Sequence, residues 1–368
     1  YYDTTLLFPT NVLDANVGVN VLDMSNPARP VLSARLVTAA MLSPHESLVV
    51  SQQAGVLATV LGNPVFAPGI VDVYDLAADC RHPQLRASAL VGVLGHESGI
   101  APDGRTFYSS SPGTPTLTAV DISNPSQPVR LLTTEYRSHG LSLSDDGNRA
   151  YLASGTGTGQ GLVILDVSDI QSRKPNPQVR EVASLAWDNM SIPQNALPFT
   201  RNGKPYLFEI DEFSIENTPG IPAANGSTVG AARIIDISDE TQPVVVSNLR
   251  LEVHEPEHRA TVARDPGASN LIGGYAGHYC NIPTRINPDI AACTMMLSGL
   301  RVFDIRDPRR PREVAYFNAP VQPRLLPVPA PASNLALSSP TFAPERKEIW
   351  YTDGFSGFYV VRVTNGVW

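Results

Sequence analysis

The stretch "LTAVDISNPSQPV", residues 117–129, decides the fold because the chain repeats it. Its copies are "VNVLDMSNPARPV" (19–31), "VDVYDLAADCRHPQL" (71–85), "LVILDVSDI" (162–170), "ARIIDISDETQPV" (232–244) and "LRVFDIRDPRRPR" (300–312), and "GFYVVRVTNG" (357–366) reads as a seventh copy without its Asp. Each is a β-branched or aliphatic run, then Asp-x-Ser, then a Pro-containing turn, then a second run, which reads as strand, tight turn, strand. Pro presets φ in the turn, and Asp, Asn and Ser side chains accept its backbone N–H groups. The recurring Asp23, Asp75, Asp121, Asp166, Asp236 and Asp304 are therefore expected to be structural.

Between successive copies lie further apolar runs broken by Pro-Asp-Gly, Asp-Asp-Gly, Arg-Asn-Gly and Asp-Pro-Gly, which are hairpin turns. Four strands per unit of about 45 residues is the arithmetic of a β-propeller blade. With strands named A to D outward, the hairpins join A to B and the Asp-x-Ser turn joins C to D. "GLVILDVSD", "LTAVDISNPSQPV" and "ARIIDISDETQPV" resemble LVIVD repeats. That resemblance covers nearly the whole chain and implies a bacterial secreted or surface β-propeller, a scaffold that hosts many unrelated functions.

Seven C-type strands give the expectation of one all-β domain over residues 1–368, a seven-bladed β-propeller whose first and last blades are incomplete in the chain. On this reading "YYDTTLLFP" is the B strand of the first blade, and a cleaved or missing upstream segment supplies its A strand and the D strand of the last blade. The composition, with 33 Pro, 27 Gly and 42% hydrophobic residues, suits a turn-rich β-protein with a core. A net charge of −8 leaves no basic surface for nucleic acid, and no apolar run is long enough to span a bilayer.

Propeller geometry puts D-to-A and B-to-C loops on one face. The long loops expected there are 53–69, 211–230, 276–298 and 319–337, so a protein, glycan or small-molecule ligand is expected on that face. A strands are read as starting near Thr38, His96, His139, Asn195, His258 and Ser338, which with Glu97 and Glu257 are the candidates for ligand binding. His96 and His139 each precede a hairpin glycine by eight residues, and His258 holds nearly the same register. Imidazole is the commonest metal ligand, so His96, His139 and His258 are the candidate metal set, for copper or zinc more than calcium. His254 and His278 fall in loops of the same face, and Glu135 and Glu255 join Glu97 and Glu257 as carboxylates that could orient an imidazole. His45, in "SPHES", and His82 read as structural turn residues. "GTGTGQG" (155–161) reads as a flexible connection with no following helix, and Asn189 and Asn225 head glycosylation sequons.

Cys280 and Cys293 bracket 12 residues of one long loop and are expected to form a disulfide, which with Cys80 favours an oxidising compartment: secreted, periplasmic or cell-surface. Two function classes fit: a secreted binding or scaffold propeller, which this reading favours, and a metal-dependent propeller enzyme, an oxidase or a hydrolase, with a His-lined site.

Overall fold

The computed structural model describes residues 2–3, 18–62, 67–154, 161–187, 192–212, 230–258, 274–321 and 333–368. Strands hydrogen-bond to their sequence neighbours throughout. Five sheets have four strands: β4 (Val49–Ser51) to β7 (Gln84–Leu90) through β5 (Val56–Val60) and β6 (Ile70–Asp75); β8 (Ser98–Ile100), β9 (Thr106–Ser111), β10 (Thr116–Asp121) and β11 (Val129–Thr134); β12 (Leu141–Leu143), β13 (Arg149–Ser154), β14 (Gly161–Asp166) and β15 (Arg180–Ala186); β16 (Ile192–Arg201), β17 (Lys204–Glu212), β18 (Ala232–Asp236) and β19 (Val244–Leu249); and β20 (Tyr279–Asn281), β21 (Ile290–Met295), β22 (Gly299–Asp304) and β23 (Arg312–Phe317). A sixth sheet has three, β24 (Thr341–Ala343), β25 (Glu348–Asp353) and β26 (Gly357–Arg362).

The expectation of seven blades is corrected to a six-bladed β-propeller. The seventh rested on "YYDTTLLFP", whose described residues are β1 (Tyr2–Asp3), paired with Asn20 and Val19 of β2 (Val19–Asp23). With β2 and its partner β3 (Val31–Leu36), β1 forms a three-stranded sheet whose described edge strand is two residues long.

Six Asp residues act as expected. Each accepts the backbone N–H two residues on: Asp23 from Ser25 at 2.9 Å, Asp75 from Ala77 at 2.9 Å, Asp121 from Ser123 at 2.8 Å, Asp166 from Ser168 at 2.9 Å, Asp236 from Ser238 at 2.9 Å and Asp304 from Arg306 at 3.0 Å. Hydrogen bonds from Ser168 hold the Asp166 carboxyl below its usual range. Shortly before this Asp the C–D ladder carries a bulge in five sheets, at Val21/Leu22, Val73/Tyr74, Ala119/Val120, Ile234/Ile235 and Val302/Phe303. An extra residue there raises the local twist and turns strand D outward. B and C strands are accordingly buried, as in β9 and β10, while every residue of β11 is exposed or half-buried.

The chain divides into two compact units, residues 1–155 with 163–182, and residues 156–162 with 183–368. In the first, Tyr108, Leu117, Leu141, Leu152 and Leu165 pack between successive sheets. In the second, Phe208, Ile234, Leu249, Met295 and Phe303 do the same.

Two loop assignments change. Residues 53–69 contain β5, whose five residues are all buried, and 276–298 contain β20 and β21, the first hairpin of their sheet. The hairpin read at Asp265-Pro266-Gly267, most of 211–230 and 319–337, all but the end of 155–161, and both sequons lie outside the described residues. Cys280 and Cys293 therefore face each other across a strand pair, not a loop, and are joined by a disulfide with Cα atoms 4.0 Å apart. Cys80 is exposed. No helix among the described residues is long and apolar enough to cross a membrane.

Closing a ring of this length is worth about 3 kcal/mol on the chain-entropy model. The Cys280→Ala, Cys293→Ala double variant should lose about that much stability in urea unfolding, and peptide mapping without reduction should recover the two segments linked. An unshifted midpoint would remove the disulfide's structural role.

Candidate functional site

The tripeptide His-Glu-Ser occurs twice, at 45–47 and 96–98, and each copy leads into the first strand of a sheet, β4 and β8. The copies lie side by side: Glu46 and Glu97 form a parallel bridge, and the Ser47 and Ser98 hydroxyls are 2.6 Å apart. The backbone is held by the hairpin partner, through Val60 N–H donating to Ser47 Oγ at 2.9 Å and Ser110 N–H donating to the Glu97 carbonyl at 3.2 Å. The next sheet begins with His139-Gly140, where His139 N–H donates to Ala153 O and Ala153 N–H to Gly140 O, both at 2.9 Å.

These starts bring five side chains of the first unit together. His96 Nε2 lies 3.2 Å from His139 Nε2 and 3.2 Å from Glu46 Oε2. His139 Nδ1 faces two carboxylates, Glu46 Oε2 at 3.6 Å and Glu97 Oε2 at 3.5 Å, and His45 Nε2 is 3.7 Å from Glu46 Oε1. The His45 and His96 rings are 4.4 Å apart and the His96 and His139 rings meet edge-on at 4.6 Å. Within the first unit, Glu46 is common to two sets with the spacing of metal ligands, His45–Glu46–His96 and Glu46–Glu97–His139. The His139 and Glu97 side chains are only 5% and 4% exposed, so charge here is shielded little by water.

Two glycines make the room. A Cβ on Gly140 would fall 2.0 Å from Glu97 Oε2, so the Glu97 carboxylate occupies the space a side chain at 140 would take. A Cβ on Gly62 would strike the carbonyls of Pro44 and His96 at 2.7 and 2.8 Å.

Of the candidates read from sequence, His96, His139 and Glu97 come together. Thr38 does not begin a first strand: it follows β3, and its hydroxyl bonds the buried Asp72 carboxylate and the Tyr74 hydroxyl at 2.5 Å each. Asn195 lies in β16 beside a register irregularity, and Ser338 accepts the Thr352 N–H at 2.6 Å through its hydroxyl. His258 belongs to a short 3-10 helix with Glu257, its side chain is 43% exposed, and its carboxylate neighbour is the exposed Glu252 at 3.6 Å. The strand read as starting at His258 falls on 259–273, outside the described residues, and the first described strand of that sheet is β20, which follows His278. Glu135 is exposed and Glu255 half-buried. His82 is an exposed turn residue bonded to Asp79, as expected, and His45 is a turn residue too, at φ 56° with Ser47 N–H donating to Pro44 O at 3.0 Å, but it also lies in the cluster.

Sequence reasoning left His45 out of the metal set, passed over Glu46 and Glu212, and placed His278 only in a loop of the same face. The repeated His-Glu-Ser was the available signal for the first two.

In the second unit, His278 N–H donates to Thr294 O at 2.9 Å, the register His139 has with Ala153. Its ring Nδ1 bonds the Leu337 carbonyl, and Nε2 lies 3.2 Å from Glu212 Oε2. Nearby, the buried Arg233 pairs with Glu209 and with Asp211 at 2.6 Å and stacks on Trp187, 3.9 Å from the ring centre. His254 is fully buried and satisfied: Nδ1 accepts from Leu251 N–H at 3.1 Å and Nε2 donates to Tyr275 O at 2.7 Å.

The LVIVD repeat model matches residues 12–38 and 114–134, so the chain carries LVIVD repeats on a β-propeller fold. Similar solved structures include a candidate 6-phosphogluconolactonase from Bacteroides uniformis (12% identity, 88% of this chain and 80% of that one, TM-score 0.58) and the periplasmic gluconolactonase of Pseudomonas aeruginosa (12%, 82% and 77%, 0.52). A third, from Lactobacillus plantarum, is 13% identical over 93% of this chain and 89% of its own, with a TM-score of 0.55. At such identities the likeness is one of fold. Curated protein sequences give no match to the chain.

Burial pushes the His254 pKa from 6.5 down to about 4. The unfolded chain then binds the extra proton first, so stability is lost as pH falls from 6.5 to about 4, by about 3 kcal/mol in all. Urea midpoints across that window should fall more steeply for the wild type than for His254→Gln, and parallel curves would refute the assignment.

Proposed function

We propose that this protein is a metal-dependent β-propeller hydrolase, with Glu46, His96 and His139 as the ligand core of its centre and His45 beside them. The observation that carries the reading is the approach of His96 Nε2 to within 3.2 Å of both His139 Nε2 and Glu46 Oε2 in a buried site. Two nitrogens bound to one ion at 2.0 to 2.1 Å and a tetrahedral angle lie about 3.3 Å apart, so the imidazole pair needs almost no rearrangement to share one. Buried carboxylates are costly unless positive charge accompanies them, which an ion supplies. Nitrogen with carboxylate oxygen favours zinc or copper over calcium. Such an ion, when bound, lowers the pKa of a coordinated water and polarises a carbonyl. Glu97, beside His139 Nδ1, orients that ring.

The likeness to propellers named as gluconolactonases supports a cyclic ester as the substrate class. The disulfide supports an exported location.

The test is metal content of protein purified without chelator, paired with hydrolysis of δ-gluconolactone followed by pH-stat. His96→Ala and His139→Ala should each lose one equivalent of zinc or copper and at least about 100-fold in rate, with far-UV circular dichroism unchanged. Gly140→Ala, which displaces Glu97 from His139, should keep the fold and weaken the metal by about 10-fold, the usual cost of losing a carboxylate behind a ligating imidazole. Metal retained in both histidine variants would end the proposal. Metal bound without turnover of lactone or simple ester would instead favour a binding propeller.

A further inference from the structure

We infer that the second unit contributes a second divalent-cation site, with His278 Nε2 and the Glu212 carboxylate as ligands and the Gln194 side-chain amide as a third. Leu337 O can only accept a hydrogen bond, so His278 Nδ1, which bonds it, carries the ring proton. In the neutral ring the lone pair is then on Nε2, and Nε2 faces Glu212 Oε2 at 3.2 Å. A ring lone pair and a carboxylate oxygen approach that closely only with a proton or a cation between them, and a cation is the occupant inferred here. The ring's orientation is that of a ligating imidazole whose far N–H is anchored on a backbone carbonyl.

The surroundings are built for one position of these groups. The His278 and Glu212 side chains are 10% and 5% exposed, and Gln194 is fully buried with its amide 3.5 Å from Nε2. A half-turn of that amide, which leaves its shape unchanged, presents the carbonyl oxygen to the same point. Tyr279 meets the His278 ring edge-on at 5.1 Å. Gly277 N–H donates to Gly230 O at 2.6 Å, and a Cβ on Gly277 would fall 2.6 Å from Ile210 Cδ1, so the chain runs flush against the end of β17 that carries Glu212. The adjacent Asp211 is fixed by two hydrogen bonds from Arg233, at 2.9 and 2.6 Å. One imidazole with carboxylate and amide oxygens suits a first-row divalent ion such as zinc. His278 also holds the strand-start place of His96 and His139, and the inference stands whether or not the first unit's cluster hydrolyses a lactone.

The experiment uses the full chain, stripped with chelator and titrated with zinc and, for its visible spectrum, cobalt. Wild type should take up two equivalents. His278→Ala and Glu212→Gln should each bind one, and His139→Ala should also bind one while keeping the His278-dependent signal. A measurement free of variants accompanies it: the His278 Nε2 chemical shift in 15N NMR should move on zinc addition while Nδ1 stays protonated. Uptake of a single equivalent by wild type, two equivalents by His278→Ala, or an unmoved Nε2 carrying a proton would overturn the inference. Loss of the His139-dependent equivalent alone would count against the first unit's site and leave this one intact.

Discussion

The hydrogen bond from an Asp side chain to the amide two residues on, made at Asp23, Asp75, Asp121, Asp166, Asp236 and Asp304, is the constraint on which the sheets depend. It closes the turn between the third and fourth strands, and in five sheets it follows a bulge that twists the hairpin. With the outer strand fixed in register, both faces of the middle strands are free to pack against neighbouring sheets. That packing in turn places the starts of the first strands, where His45, His96, His139 and His278 are found.

Two clusters of interior charge are balanced differently. Glu209 and Asp211 lie against one guanidinium, and burial still pushes Glu209 well above its usual range. Glu46 and Glu97 lie against imidazoles, which carry positive charge only when protonated or when they share a cation. The first arrangement is self-contained and reads as architecture. The second invites an ion, which is why chemistry is assigned to it.

Much of the fold could be read because the repeat is local: Asp, turn and Pro lie within a dozen residues, and each copy corroborates the others. The site was legible only in part. His96 and His139 emerged from their distance to a hairpin glycine, but the same rule gave no place in the site to His45, whose turn precedes β4 rather than closing a hairpin, or to His278, which leads into β20. The contribution of Gly140 had no sequence signal at all, since it consists of leaving space for a carboxylate from the neighbouring sheet. Glu212 likewise ends a strand far in sequence from His278, and only packing joins them.

The doubled His-Glu-Ser has an evolutionary and practical corollary. Because the tripeptide precedes the strand it belongs to, copying or exchanging one blade carries its potential ligands along with its scaffold. The number and kind of donors can therefore change by whole-module steps, with the backbone ladder already in place to receive them. A blade beginning with Glu-Gly or Asn-Gly, spliced in for residues 96–134, would rewrite the ligand set without redesigning the core, making the set of donors a composable property of the array.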